Sequence, residues 1–305
     1  MQIKDLRYTE NFSLSQFTSL GFFTTSIHLP PIHSPPTTLS HIHLCVVTTT
    51  NYTEEGWPRV KGRRTVNMAA PQAEAAPNQE TFVLVRTTLP RQPFPASATR
   101  PAVTTDRLIL RPFSPSDLDA LHVLRTQPEV MVWTGLGRAD HDLAETQAKL
   151  NLYLPPNDAT TFNCAICLRE TGEFVGAGGC HNRTSSVGWP EVGYMFKEEV
   201  WGKGMGTEFL KGFLQMWREL PRKEVTLRVD HRTIPKSVPE NGGEAKVVEE
   251  QLIAVTASEN DKSQHVLKKC GFEHALTWKE KDSRDITGET FIALPTYRYL
   301  LGRSE

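Results

Sequence analysis

Three glycines, Gly202, Gly204 and Gly206, sit at alternate positions between a strand-like and a helix-like run, and here the backbone can hold an anion. Before them Val192, Tyr194 and Phe196 alternate along EVGYMF as in a strand. After them Phe209, Leu210, Phe213, Leu214 and Trp217 recur at helical spacing, which predicts a helix starting near Thr207 and stopped by Pro221. Glycine admits φ > 0 and puts no side chain between the backbone and a ligand. The amides of Lys203, Gly204, Met205, Gly206 and Thr207 can then converge at the positive end of a helix dipole, where a phosphate fits.

Spacing narrows the choice of phosphate. A Walker A loop requires Lys-Ser or Lys-Thr after its last glycine, and neither follows here. The dinucleotide fingerprint requires G-x-G-x-x-G directly after a strand; these glycines run G-x-G-x-G, with Lys197 to Trp201 in between. Asp230, ending EVTLRVD, imitates that fingerprint's ribose-binding acid and keeps the dinucleotide reading open, as does a plain glycine-rich turn without a ligand.

Two further stretches bear on the choice. ASENDKS, then QHVLKKCGFE, reads as a strand end entering a short helix, with N-cap candidates Ser258, Asn260 and Asp261 and a C′ glycine at Gly271. Val266, Leu267 and Cys270 form that helix's apolar face. Upstream, TDRLILRPF leads into SPSDLDAL and then PEVMVWTG. With TDRLILRPF, PEVMVWTG, EVGYMF, VWGKGMGTE and SENDKSQHVLKKCGF in this order, the sequence resembles the GNAT superfamily of acyl-CoA-dependent N-acetyltransferases. The branch it looks most like holds the ribosomal-protein N-terminal acetyltransferases (RimJ/RimL-like). The resemblance covers roughly residues 103–301 and none of the first hundred.

The resemblance implies an α+β fold, a mixed and mostly antiparallel sheet flanked by helices, with acetyl-CoA as cosubstrate and no metal. It places the cofactor diphosphate on the amides of Lys203, Gly204, Met205, Gly206 and Thr207. The pantetheine arm would run along the strand ending Met195, Phe196 and Lys197, pairing like an added strand. A backbone amide near Tyr194 or Met195 would stabilise the oxyanion. Asn260 and Ser263 match positions beside the cofactor, against their simpler reading as helix N-capping residues. An amine near pH 7 is mostly ammonium, so a base must take its proton. Glu191 is the candidate, opening the central strand at a position that is often acidic in this branch; the alternative is an exposed strand-end glutamate. His181 and Asp106 are weaker options. Many family members carry a tyrosine in the last helix as acid, where this sequence has Leu267. The acid is thereby left open between water, Ser263 and unaided departure of the thiolate. Trp201 stands where the family usually has Arg or Gln, so backbone amides must carry the diphosphate.

The totals exclude some classes. With 34 basic and 35 acidic residues the net charge is −1, which points to neither a nucleic-acid nor an acidic-membrane partner. No apolar run approaches the roughly 18 residues of a spanning helix. Five scattered cysteines (Cys45, Cys164, Cys167, Cys180 and Cys270) fit a reducing compartment, and a cytoplasmic location is expected. Cys164 and Cys167 have C-x-x-C form, but on a strand their thiols face opposite sides, and no second pair follows at zinc spacing.

Residues 1–67 are rich in Ser, Thr, Pro and His without helical or strand period, so they read as a disordered extension, one not native to the protein if Met68 is the start. They lack both the basic character of a transit peptide and the apolar core of a secretory signal. An intact mass beginning at Met1 would refute the extension. Residues 68–102 read as tail and linker with one strand in QETFVLVRTTLP, and 103–301 as the catalytic domain. Within it, Arg107 to Phe113 alternates as a strand, Ser114 caps a helix carrying Leu118, Leu121 and Leu124, and a second helix runs from Ala139 to about Leu152. A hairpin over residues 161–178 precedes the central strand. Arg222 to Asp230 is a further strand, 231–249 a polar insertion, Gln251 to Ala257 a strand, and 273–281 and 290–300 an antiparallel pair. The expected function is transfer of an acetyl group to a primary amine on a protein N-terminus, a lysine or a small molecule. A non-catalytic CoA-binding or interaction module is the alternative.

Overall fold

A computed structural model describes residues 73–238 and 245–302; the expected extension at 1–67 lies outside them. In chain order the strands and helices are β1 (Phe82–Pro90), β2 (Val103–Thr104), β3 (Leu108–Arg111), α1 (Leu118–Arg125), α2 (Pro128–Met131), α3 (Leu143–Asn151), β4 (Phe162–Leu168), β5 (Phe174–Asn182), β6 (Glu191–Phe196), α4 (Met205–Glu219), β7 (Arg222–Asp230), β8 (Lys246–Val247), β9 (Gln251–Val255), α5 (Asp261–Lys269), β10 (Glu273–Lys281) and β11 (Phe291–Leu300).

Eight strands form one sheet in the order β10-β11-β9-β6-β5-β4-β3-β2. Every neighbouring pair is antiparallel except β6 and β9, which run parallel. The expected mixed, mostly antiparallel sheet flanked by helices is what the chain builds.

Each face of the sheet has its own apolar cover. Val192 and Phe196 of β6, Leu252 and Ala254 of β9, and Tyr297 and Tyr299 of β11 pack in one cluster with Phe209, Phe213 and Trp217 of α4 and Leu267 of α5. Burying each such side chain contributes about 1.5–3 kcal/mol. The close fit has a sequence cause: a Cβ at Gly178 on β5 would lie 2.5 Å from Cζ of Phe209, so a glycine lets α4 press on the strand. On the opposite face Ala165, Cys167 and Ala177 meet Leu121, Leu124 and Leu150 from α1 and α3. Cys164 and Cys167 fall in these two separate clusters, as their spacing predicts. Farther along that second face Ile253, Leu276 and Trp278 are covered by Val85 of β1 and Val229 of β7.

The strand expected in QETFVLVRTTLP is β1, and it joins the body of the domain. It pairs antiparallel with β7 from Phe82↔Asp230 to Pro90↔Arg222, in a second sheet ordered β7-β1-β8. The proline-rich stretch after it sets Phe94, 3 % exposed, among the rings of Phe162 and Trp217. Asp230 is fully buried and holds Arg232 (Nη2–Oδ2 2.6 Å) and Thr81 (Oγ1–Oδ2 2.9 Å), a structural role that removes it as a ribose partner.

Three boundaries shift. α4 begins at Met205, two residues before Thr207. The second helix does not start at Ala139: Asp140 is buried on Arg125 (2.7 Å), and the Asp142 side chain accepts from the Glu145 amide to cap α3 at Leu143. A 3-10 turn, Pro115–Asp117, precedes α1, with the full capping box on Ser114.

Candidate active site

β6 is half of an open seam. Across from β5 it pairs over its whole length, from Asn182↔Glu191 to Gly176↔Phe196. Across from β9 it pairs only at Glu191↔Ile253, with the Ile253 amide donating to the Pro190 carbonyl at 2.8 Å. Beyond Glu191 the two strands splay, as V-shaped clefts require. The Lys197 amide donates to the Val175 carbonyl at 2.9 Å, so residues 197, 195 and 193 are the ones whose backbone groups bond to β5. By alternation the amides of Tyr194 and Phe196 face the seam, while that of Met195 faces β5. Of the two expected oxyanion donors, only the Tyr194 amide faces the seam.

At the end of β6 the turn is pinned from two sides. Trp201 Nε1 donates to the Phe196 carbonyl at 2.8 Å, and Arg107 Nη1 donates to the Lys203 carbonyl at 2.8 Å. Gly204 stands at φ 81°, ψ 2°, the left-handed region where glycine has no Cβ cost, and precedes α4 as its N-cap. Among the described residues no backbone hydrogen bond takes up the amides of Lys203, Gly204, Met205, Gly206 or Thr207. Those amides stand at the positive end of a 15-residue helix, where an anion is favoured. Lys262 sets its Nζ 4.4 Å above the Trp201 ring, which adds a cation beside the turn. Neither Arg107 nor Lys262 stood out in the sequence as a binding residue, although Arg107 belongs to the TDRLILRPF stretch.

The other expected cofactor residues divide. The Lys197 ammonium is taken by Glu173 at 3.0 Å, Phe196 is buried in the α4 core, and Met195 packs toward the α1–α3 side. Asn260 caps α5, its Oδ1 accepting from the Ser263 amide at 3.1 Å. The Ser263 and Tyr194 hydroxyls share a hydrogen bond of 3.1 Å, and burial pushes the Tyr194 phenol up to about 12. Gly206 faces inward: an added Cβ would meet Val266 at 3.4 Å and the Tyr194 ring at 3.8 Å. Leu267 is buried in the core and offers no acid.

Glu191 lines a cleft of about 220 Å³ at the mouth of the seam. Its walls are Trp133 and Gly135 after α2, Val255 to Ala257 at the end of β9, and Trp278, Glu280 and Ile292 on the β10–β11 hairpin. Burial, then the nearby Glu280 carboxylate, pushes Glu191 up to about 7. His181 is the extra residue of a bulge in β5 opposite Glu191, and its Cε1 would lie 3.0 Å from a Cβ at Gly193. The residue is exposed at the surface, yet desolvation by the protein around it, then the Lys149 charge, pushes its pKa down to about 4. A base of that strength is too weak for an ammonium, so of the candidates Glu191 has the matched value. Asp106 is exposed in the β2–β3 turn and does not line the cleft.

A larger hollow, about 960 Å³, lies by the β7-β1-β8 sheet and includes no residue of β6. Its Glu250 is already held by Arg222 (2.9 Å) and Trp217 (2.9 Å). Among the described residues no group of His, Cys, Asp or Glu is arranged to hold a metal, and no helix is long and apolar enough to cross a membrane.

The sequence model described as "Acetyltransferase (GNAT) domain" matches residues 107–273. No curated protein matches the chain. Among solved structures, it is similar to a GNAT-family acetyltransferase from Bacillus anthracis at 17 % identity, covering 67 % of this chain and 100 % of that one with a TM-score of 0.47. An acetyltransferase from Agrobacterium tumefaciens aligns at 21 % identity over 66 % of this chain and 95 % of that one, TM-score 0.43. A spermidine N-acetyltransferase from Vibrio cholerae, in complex with CoA and spermine, aligns at 14 % over 65 % and 97 %, TM-score 0.47. The family match spans more than half of the 305 residues and contains the splayed strand, the glycine turn and the α5 cap. On that match the chain belongs to the GNAT family of acetyltransferases, enzymes that use acetyl-CoA to acetylate amines.

Proposed function

We propose that the chain acetylates a primary amine directly from bound acetyl-CoA, with Glu191 as general base. Glu191 carries the reading: a carboxylate raised to about 7 stands where the β6–β9 seam opens into a cleft. The cradle fits the cosubstrate, since Gly204 leaves the helix entrance bare and the five amides lack backbone acceptors. Bound acetyl-CoA supplies the thioester, whose carbonyl carbon gains the bond to nitrogen and loses the bond to sulfur; the second nitrogen proton passes through water to the departing thiolate, leaving the amide and CoA thiol. Glu191 Oε takes the ammonium proton and frees the nitrogen lone pair. The Tyr194 amide, facing the seam, donates to the oxygen that gains charge, a contribution of about 3–4 kcal/mol when such a donor is preorganised. Lys203 to Thr207 hold the diphosphate through backbone amides, Arg107 and Lys262 add positive charge, and the Phe196 amide faces the pantetheine arm. The Tyr194 hydroxyl stays protonated at neutral pH and ties β6 to Ser263 at the start of α5.

Acceptors proposed from the chemistry are a protein N-terminus, a lysine side chain or a small alkyl amine; the resemblance to the ribosomal-protein N-terminal acetyltransferases supports the first. Thiol release with acetyl-CoA and a panel of amines tests the reading. Amine-dependent release that Glu191→Gln slows, with CoA binding retained, supports it; CoA binding with no release across the panel favours the non-catalytic module.

A further inference from the structure

The cleft at the seam holds two carboxylates without a counter-ion. Glu191 on β6 and Glu280 on β10 stand on the same face of the sheet: Glu191 is opposite Ile253, Ile253 opposite Arg298, and six residues back along β11 Ile292 is opposite Glu280. Both line the same hollow, and among the described residues neither side chain has a hydrogen bond or ion pair. The other charges around them are already committed or turned away. Arg284 is spent on Asp282 (Nε–Oδ1 2.7 Å, Nη2–Oδ2 2.6 Å) and reaches Glu259 at 3.4 Å. Lys281, next to Glu280, also lines the hollow, but its Nζ lies out by the turn, 3.9 Å from the position of a Cβ on Gly288. On the β5 side His181 is neutral at pH 7. From the segment after α2 the cleft receives Val132, Trp133, Thr134 and Gly135, none of them ionisable.

Glu191 is the sheltered member of the pair and Glu280 stands at the exposed rim of the hollow, so a cation seated between them neutralises a carboxylate that has no protein partner. Independently, the backbone seam between β6 and β9 opens beside the same hollow, at Glu191. The walls that complete the hollow, Trp133, Trp278, Ile292 and Leu294, are apolar and suit a carbon chain. We propose that Glu280 selects the acceptor: it holds the ammonium form of an alkyl amine that bears no neighbouring carboxylate and presents it to Glu191. The inference rests on the acyl-transfer reading above. Glu280 is a specificity residue that touches the substrate, and Glu191 remains the proton acceptor. Free amino acids are excluded by repulsion between their carboxylate and the pair, while their amides, peptide N-termini, lysine side chains and diamines share the accepted chemistry.

The test uses the full chain with acetyl-CoA and five acceptors: alanine, alaninamide, a peptide with a free N-terminus, an N-blocked peptide with one lysine, and a diamine. The last three distinguish the sources of the amine. The wild type is expected to prefer alaninamide over alanine by about tenfold or more in kcat/KM, the scale of one charge contact. Glu280→Gln raises KM for the preferred amine about tenfold while kcat stays within about twofold, the split expected when ground-state binding is lost. It also moves the acid limb of kcat/KM below that of the wild type, because Glu191 loses a like-charged neighbour. Glu280→Asp restores part of the affinity. Glu280 is exposed, so the substitution leaves the core intact, and an unchanged CoA affinity verifies it. Unchanged KM and an unmoved limb in Glu280→Gln, or a wild type that favours alanine, overturns the assignment of Glu280 and leaves acyl transfer standing. No thiol release by the wild type with any acceptor overturns the reading beneath it, and this inference with it.

Discussion

Arg107 and Glu208, 101 residues apart in sequence, close the joint between β3 and the first turn of α4. Arg107 Nε and Nη2 both lie 2.7 Å from Glu208 Oε2, and the Arg107 amide donates to Oε1 at 2.7 Å. Thr105 Oγ1 donates to the same Oε1 at 2.6 Å. With Nη1 on the Lys203 carbonyl, one guanidinium fixes both the helix start and the glycine turn.

Arg107→Ala is therefore expected to weaken CoA binding about tenfold, the scale of one charge-assisted contact, and to lower the melting temperature. Arg107→Lys keeps the charge without the fork and recovers only part of the affinity. Calorimetric titration with CoA checks both; lowered stability with unchanged affinity would confine Arg107 to a structural role.

The glycines of the turn differ in what they tolerate. At Gly204 an added Cβ meets only Arg107 Nη2, at 3.4 Å, so Gly204→Asp is expected to fold and to lose CoA. The left-handed backbone costs a side chain about 1–2 kcal/mol, and a carboxylate there opposes the diphosphate. Gly206→Asp instead drives a charge toward Val266 and Tyr194, so its first effect is on stability. CoA titration beside thermal melting separates the two; full CoA affinity in Gly204→Asp would displace the diphosphate from this turn.

Glu191→Gln is expected to lower kcat roughly a hundredfold with CoA affinity unchanged, within the usual range for a lost general base. In the wild type the rate rises with pH through about 7, as the carboxyl deprotonates, and that limb vanishes in the variant. Full activity at neutral pH would remove Glu191 from the mechanism.

The same carboxyl has a cost in stability. Its folded pKa, about 7, lies above the ordinary value of 4.5, so the folded protein binds the proton more tightly than the unfolded chain. Stability from this group is present below pH 4.5 and is lost as pH rises through 7. Glu191→Gln should thus melt higher than the wild type at pH 8 and differ little at pH 4. A variant that melts lower at pH 8 would show that the buried charge is compensated.

Local chemistry made much of this protein legible. The period-2 run from Val192 to Phe196, the glycines and the helical repeat from Phe209 to Trp217 marked strand, turn and helix, because backbone preferences and apolar periodicity act over short ranges. Ser114 and Asn260 likewise announced their helices as caps. Residues brought together from distant segments were not legible. No sequence pattern pairs Arg107 with Glu208, sets Lys262 on Trp201, joins β1 to β7, or brings Glu280 into the cleft of Glu191. The family resemblance named Tyr194 and Met195 alike as oxyanion donors; only the register against β5 determines which amide faces the seam. The sequence thus determined the kinds of element and the bare backbone turn. Burial and charge, which depend on what folds against what, decided that Glu191 is poised near neutrality and His181 is not.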